Sequence, residues 1–255
     1  MRERPAGDFD YEAGGTGYAS RRRPDPRIER LVHDALATAD PVINVGAGAG
    51  SYEPRDREVV AVEPSARMRA QRPAELAPAI DAVAEALPFD DRSFEAAMAM
   101  ITVHQWPDTG RGLAELARVS TGPIVILTFD GDALERLWLH EYVPELTAAE
   151  RGRYPKISAL VAALPGAVEV SEVEIPIDCV DGFTEAYYAR PEAFLDPAVR
   201  AAQSAWGFVA PEAIGRAVEH LRSDLDSGRW DERHGALREQ PGFTGALRLI
   251  VSRRA

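Results

Sequence analysis

Pro41-Val-Ile-Asn-Val-Gly-Ala-Gly-Ala-Gly-Ser51 is the stretch on which the reading of the fold turns. Val42, Ile43 and Val45 make a short β-branched run, the composition of a strand buried on both faces, and the run stops at Gly46, Gly48 and Gly50. Glycine accepts positive φ and lets a ligand touch the backbone. In doubly wound sheets the crevice at the carboxyl ends of the strands is where nucleotides bind. The spacing here is G-x-G-x-G. A dinucleotide fingerprint would need its third glycine at the position of Ser51, and Tyr52, Glu53 and Pro54 interrupt the start of any following helix. No Gly-Lys-Ser/Thr follows, so the stretch is not a P-loop. It suits a ligand without phosphates better than a dinucleotide pyrophosphate.

Outward from the loop, strand and helix patterns alternate. Strands are expected at residues 58–62, 80–83, 94–103 and 123–129, with helices at 65–71 and 112–119. Upstream, residues 28–39 carry Ile28, Leu31, Val32, Ala35, Leu36 and Ala39 at a helical period. This alternation of apolar strands with helices predicts a parallel sheet covered on both faces. Residues 132–164 read as mostly helical, longer than a connection requires, and suggest a lid or substrate wall. A strand at 168–177, helices at 184–208 and 211–226, and a last strand at 246–251 complete the chain. The expected organisation is an N-terminal arm, residues 1–27, followed by a single domain, 28–255, with a helical insertion at about 131–165.

Glu63 ends the second strand, where a carboxylate can accept hydrogen bonds from both hydroxyls of a ribose. An ordinary helix N-terminal carboxylate ahead of Ser65 is the other reading.

The bulk properties narrow the function classes. A hydrophobic fraction of 45% over 255 residues suffices for a packed core. The 41 acidic and 29 basic residues leave a formal charge of -12, which opposes phosphate backbones and anionic membranes, so neither nucleic acid nor a membrane is an expected partner. Cys179 is the one cysteine, so no internal disulfide and no cysteine-pair metal site can form, and a cytoplasmic location is expected. The first ten residues are charged and lack an apolar core of the signal-peptide kind, and the apolar runs are too short to span a bilayer. His33, His140, His220 and His234 show no metal-ligand spacing, and no metal is expected.

Three segments, VINVGAGAG (42–50), VVAVEPSARM (59–68) and AEALPFDDRSFEAAMAMITVHQW (84–106), resemble successive motifs of the class I S-adenosylmethionine (SAM)-dependent methyltransferases. The nearest branch is that of the ubiquinone and menaquinone methylases and many natural-product methylases. The resemblance runs by motif over residues 9–130 and by strand order to the C-terminus. It implies an α/β, Rossmann-like, doubly wound seven-stranded sheet with the last strand antiparallel. It also implies SAM as cofactor and S-adenosylhomocysteine (SAH) as product. Gly46, Gly48 and Gly50 would lie under the methionine moiety, and Glu63, beside Pro64, would hold the ribose. Adenine would rest on backbone near Ala84 and Glu85 and on Met68 or Leu87, with Trp106 packing that side. Two positions depart from the family. Asn44 stands where an acid is usual, altering the surroundings of the SAM amino group, and Val83 stands where an Asp often binds the adenine amine.

The resemblance also implies that an arm carrying Tyr11, Tyr18 and Arg21 folds over SAM, an arginine pairing with the methionine carboxylate. A solvated tail is the other reading, and Arg21, Arg22 and Arg23 are not distinguished. His104 follows the fourth strand, on the side that faces substrate in this fold. It is either a base for a hydroxyl or amine or a pocket-lining residue ahead of Pro107. Asp178, Cys179 and Asp181 read as turn chemistry before Gly182, Cys179 having no activating partner nearby in sequence, and Tyr187, Tyr188 and Arg190 read as core.

The function expected is methyl transfer by in-line displacement to an oxygen, nitrogen or carbon of a small, partly apolar molecule. Two other readings stay open: a SAM-binding regulatory or partner protein, and a nicotinamide oxidoreductase, which Ser51 argues against. A methylase of RNA or protein is opposed by the charge and by the lack of an Asn/Asp-Pro-Pro-aromatic motif. The sequence carries no signature of oligomeric state.

Overall fold

The computed structural model describes residues 22–254. Six strands form the main sheet: β1 Val42–Val45, β2 Val59–Val62, β3 Ala96–Met100, β4 Ile124–Phe129, β5 Ala167–Glu172 and β8 Leu247–Arg253, in the order β2-β1-β3-β4-β8-β5. The first four run parallel, and β8 lies antiparallel between β4 and β5. The reversal of strand order beside β1 opens a crevice at the carboxyl ends of β1 and β3, the usual binding place in open α/β sheets.

Every residue of β1, β3 and β4 is buried. Alternation along the strands divides the apolar residues between two core layers. Ile43, Ala97, Ala99, Ile124, Ile126 and Ile250 pack with Leu113, Leu116 and Val119 on one side. Met98, Val125, Leu127, Leu247 and Leu249 pack with Ile28, Val32 and Leu36 on the other. The covering helices start at local signals. Asp25 accepts a hydrogen bond from the Arg27 N–H at the head of α1 (Pro26–Leu36), and Asp108 caps α3 (Thr109–Val119) through the Arg111 N–H. Between them, Ser65 caps the single turn α2 (Ala66–Arg69). The outer strand β5 is largely exposed and carries Glu169, Ser171 and Glu172, a polar edge that resists pairing with other chains.

After β4 the chain turns helical, through short 3-10 segments and then α4 (Pro144–Arg153) and α5 (Ile157–Ala163). A second helical excursion lies between β6 (Ile175–Pro176) and β7 (Gly242–Phe243), which pair with each other outside the main sheet. It contains α6 (Pro197–Ala201), α7 (Pro211–Ser227) and α8 (Arg229–His234). Trp138 from the first excursion meets Phe194 and Trp230 from the second edge to face, at centroid distances of 5.9 and 5.3 Å, and so joins the two.

Several elements differ from the sequence expectation. The third strand, 80–83, shrinks to one bridge between Ile80 and Val62, so the seventh strand of the sheet is a single residue; Ile80 and Val83 are exposed there and gain little from burial. The strand expected at 94–103 stops at Met100 because Ile101 takes φ 52°, turning the chain into a 3-10 segment at Val103–Gln105. The strand expected at 168–177 breaks after Glu172 so that β6 can leave the sheet. The helix expected at 184–208 is three 3-10 segments and one short α-helix, since Pro191 and Pro197 each remove a backbone donor and restart the chain.

Candidate active site

The glycine loop closes over the end of β1. The Gly46 and Ala47 N–H groups both donate to the Val62 carbonyl, which fixes the loop against β2. Gly46 has φ 71°, and a Cβ there would stand 2.1 Å from Thr102 Oγ1, so packing allows no side chain. Gly48 differs: a Cβ would meet nothing nearer than Met68 Cε at 3.5 Å, because the residue borders open space. That space is a cavity walled by Glu63, Met68, Ala84 and Trp106. Glu63 forms its floor. One carboxylate oxygen accepts from the Gly48 N–H at 2.8 Å and the other from the Ser65 N–H at 2.8 Å. Burial raises the Glu63 carboxyl above its ordinary value, and the two backbone donors oppose that rise. Each oxygen keeps a further lone pair, the capacity that a pair of ribose hydroxyls requires.

The wall chemistry tests the cofactor. Arg22 is the one cation among the described lining residues, against two carboxylates, Glu63 and Glu85, with Met68, Ala84, Ile101 and Trp106 supplying apolar surface. No helix starts after the glycine loop, so no helix N-terminus is aimed at a phosphate. A cationic, phosphate-free nucleoside fits this lining; a dinucleotide pyrophosphate does not.

A second cavity adjoins the first and shares Arg22 and Ile101 with it. Ile101 is the β-branched residue at positive φ, a strained conformation held by the surrounding structure at the divide between the two spaces. Phe129, Leu137, Leu146 and Phe183 make the second wall apolar, and His104, Glu150, Glu185 and Gln203 bring polar groups to it. Glu185 is 2% exposed and accepts from the Ala246 N–H with both oxygens, at 2.8 and 3.0 Å. Burial pushes its carboxyl up to about 7. Burial likewise pushes Glu150 up to about 7, against the pull of Arg153 and Arg22. His104 packs against Tyr154 with the rings tilted by 52° at a centroid distance of 4.6 Å and contacts the Gln105 side chain at 2.8 Å; burial, with Arg153 and Arg22, lowers it to about 3.

Of the residues expected at the cofactor, Gly46, Gly48, Glu63, Pro64, Met68, Ala84 and Glu85 line the first cavity. Asn44 and Gly50 stand behind the loop instead. Asn44 is fully buried and donates to Glu53, which Arg72 grips through both carboxylate oxygens, and Gly50 faces Leu76. The buried carboxylate beside β1 is therefore supplied by Glu53. His104 lines the second cavity, not the first. Tyr11, Tyr18 and Arg21 lie outside the described residues. Arg22 reaches both cavities and donates to Asp181 at 2.6 Å, and Tyr52 donates to the other oxygen of Asp181 at 2.7 Å. Asp181 is thus more than a turn residue: it is 2% exposed and ties the N-terminal segment to the glycine loop. Sequence reasoning missed Tyr52, Glu150, Glu185 and Gln203, because nothing in the local pattern marks residues brought together from separate elements; Tyr52 and its partner Asp181 are 129 positions apart.

Residues 43–123 match the family model described as methyltransferase domain. Among solved structures, the chain is 28% identical to a protein from Anabaena variabilis named as a candidate methyltransferase of an antibiotic biosynthesis pathway, covering 92% of this chain and 99% of that one at a TM-score of 0.85. A SAM-dependent methyltransferase from Thermotoga maritima shares the fold at a TM-score of 0.53 and 15% identity, covering 96% of this chain and 92% of that one. So does the geranyl diphosphate C-methyltransferase of Streptomyces coelicolor, solved with Mg2+, geranyl diphosphate and SAH, at a TM-score of 0.52 and 13% identity over 90% of this chain and 79% of that one. No curated protein matches the chain.

Proposed function

We propose that this chain, whose residues 43–123 match the methyltransferase domain, moves the methyl group of SAM onto a nucleophilic oxygen, nitrogen or carbon of a small, partly apolar molecule held in the second cavity. The observation that carries the reading is the pair of adjoining cavities divided by Ile101: one floored by the glycine loop and Glu63, the other apolar with a few polar groups.

When bound, SAM supplies a methyl group on a positively charged sulfur, so the leaving group is already activated. The residues of this chain then have to position. Gly48 leaves room for the ligand above the loop, and Glu63 offers its remaining lone pairs to the ribose hydroxyls. Ala84 and Met68 face the base, and Arg22 stands where the two ligands would meet. The helical segment 131–165 walls the acceptor from water. Holding donor and acceptor in line supplies most of the rate enhancement expected of such a site. His104, lowered to about 3, is neutral at physiological pH and a poor proton store. It orients the acceptor by hydrogen bonding instead of serving as its base.

Thermal unfolding with SAM, SAH and NADH, on the wild type and on Glu63→Ala, tests the cofactor. SAM or SAH at about a hundred times its Kd stabilises by about 2.7 kcal/mol, a shift of several degrees, and the variant loses that shift. A rise with NADH and none with SAM or SAH overturns the reading. Transfer of labelled methyl from SAM to an added small molecule then separates an enzyme from a protein that binds SAM without turnover.

A further inference from the structure

Glu150 is a carboxylate of the second cavity that the structure leaves unengaged. Its helix, α4, forms part of the cavity wall, and its side chain has no hydrogen-bond or ion-pair partner among the described residues. Glu185, Arg22 and Arg153 near it are engaged, while His140 Nδ1 on the same wall is buried without a partner among the described residues. Glu185 shares the Ala246 N–H between its two oxygens, Arg22 donates to Asp181, and Arg153 donates to Ser204. Gln203, across the cavity and 5% exposed, is engaged on one side alone. Its Oε1 accepts from the Thr184 hydroxyl at 2.8 Å and from the Trp206 N–H at 3.2 Å, which fixes the orientation of the amide. Its Nε2 is buried without a partner among the described residues. A buried donor left unpaired is costly, and a ligand oxygen in the cavity would offset that cost.

We propose that Glu150 is the recognition residue for the acceptor group of the substrate, and that this group is a hydroxyl or an amine carried on an apolar body. The inference rests on the methyltransferase reading for the direction of the ligand: its polar end lies toward Arg22 and Ile101, the wall shared with the cofactor cavity. The acceptor O–H or N–H donates to a Glu150 carboxylate oxygen. Gln203 Nε2 donates to an oxygen of the ligand, which a hydroxyl supplies and an ammonium does not. The leucines and phenylalanines of the wall take the apolar body. A carboxylate ligand is disfavoured, since it would face Glu150 and Glu185 together.

The groups facing Glu150 set its response to pH. They are Arg153 on its own helix, Arg22 on the N-terminal segment, Glu185 after β6, and His104, His140 and Tyr154 on the same wall. Burial outweighs the two arginines, so the carboxyl ionises near neutrality, and attraction for an ammonium strengthens as pH rises through about 7.

The test uses four probes with one apolar body: 2-phenylethanol, 2-phenylethylamine, phenylacetate and ethylbenzene, titrated by ligand-observed NMR into the SAH-loaded protein and into Glu150→Gln at about pH 8 and about pH 6. The expected result is that the alcohol or the amine binds roughly tenfold tighter than phenylacetate and ethylbenzene, that Glu150→Gln removes this preference, and that any preference for the amine weakens at the lower pH in the wild type alone. Whether alcohol or amine leads identifies the acceptor. Equal binding of all four, binding of none, or an unchanged ranking in Glu150→Gln overturns the proposal. SAH affinity, measured in both proteins, reports separately on the cofactor reading. If SAH fails to bind the wild type, that reading fails, and the probe ranking on the unloaded protein still decides the role of Glu150.

Discussion

At the scale of single residues, packing places opposite demands on similar groups. Gly46 and Gly48 both have positive φ, yet one faces Thr102 and the other open space. Gly46→Ala combines left-handed strain with overpacking and is expected to lower stability by about 2–4 kcal/mol in chemical denaturation. Gly48→Ala is expected to lower it by about 1 kcal/mol while weakening SAH in calorimetric titration, because the added methyl enters the space the ligand needs. The carboxyls that face the second cavity carry a pH signature. The Glu150 value of about 7 in the folded chain lies above its ordinary 4.5, so protonation favours the fold. That contribution is full below pH 4.5 and is lost as pH rises through 7. Glu150→Gln, which cannot ionise, is therefore expected to be more stable than the wild type at pH 8, by on the order of 1–3 kcal/mol, with the difference gone below about pH 4.5. Equal stability at pH 8 would show that the carboxylate is satisfied when ionised.

At the scale of elements, three segments far apart in the chain are joined at one carboxylate. Tyr52 from the glycine loop and Arg22 from the segment before α1 both donate to Asp181, which follows β6. The Arg22 and Asp181 side chains are 11% and 1% exposed, so water cannot replace the lost partner. Asp181→Ala is expected to destabilise by about 3–5 kcal/mol and to weaken SAH binding, since the loop and Arg22 lose their common anchor. Tyr52→Phe leaves the ion pair in place and is expected to lose about 1–2 kcal/mol. The elements around this anchor were readable from local pattern wherever burial is on both faces. Val42–Val45 and Ile124–Phe129 match the expected strands to within a residue, because a wholly apolar run has no alternative to the sheet interior. Residues 80–83 carried an equally short apolar signal, but that segment lies at the exposed edge, where a single bridge to Val62 is all that forms.

At the scale of the whole molecule, the helical layer is held by aromatic packing between two excursions that neither the family motifs nor the strand order describe. Trp230 is fully buried against Trp138 and His234. Trp230→Ala is expected to lower stability by about 3–5 kcal/mol, with SAH still bound by the folded fraction, because the glycine loop and Glu63 do not depend on that contact. Among the described residues no helix is long and apolar enough to cross a membrane. The sequence by itself determined the sheet and the cofactor side of the crevice: the apolar strands, the glycine loop and Glu63 are contiguous or nearly so, and each answers to a local rule of periodicity, sterics or charge. Only the tertiary structure decided the acceptor side. Arg22, Tyr52, Ile101, Glu150, Asp181 and Gln203 come from separate segments, and their roles arise from which of them burial leaves paired and which it leaves facing a cavity. Desolvation and hydrogen bonding across the fold impose that property; no residue type or spacing along the chain encodes it.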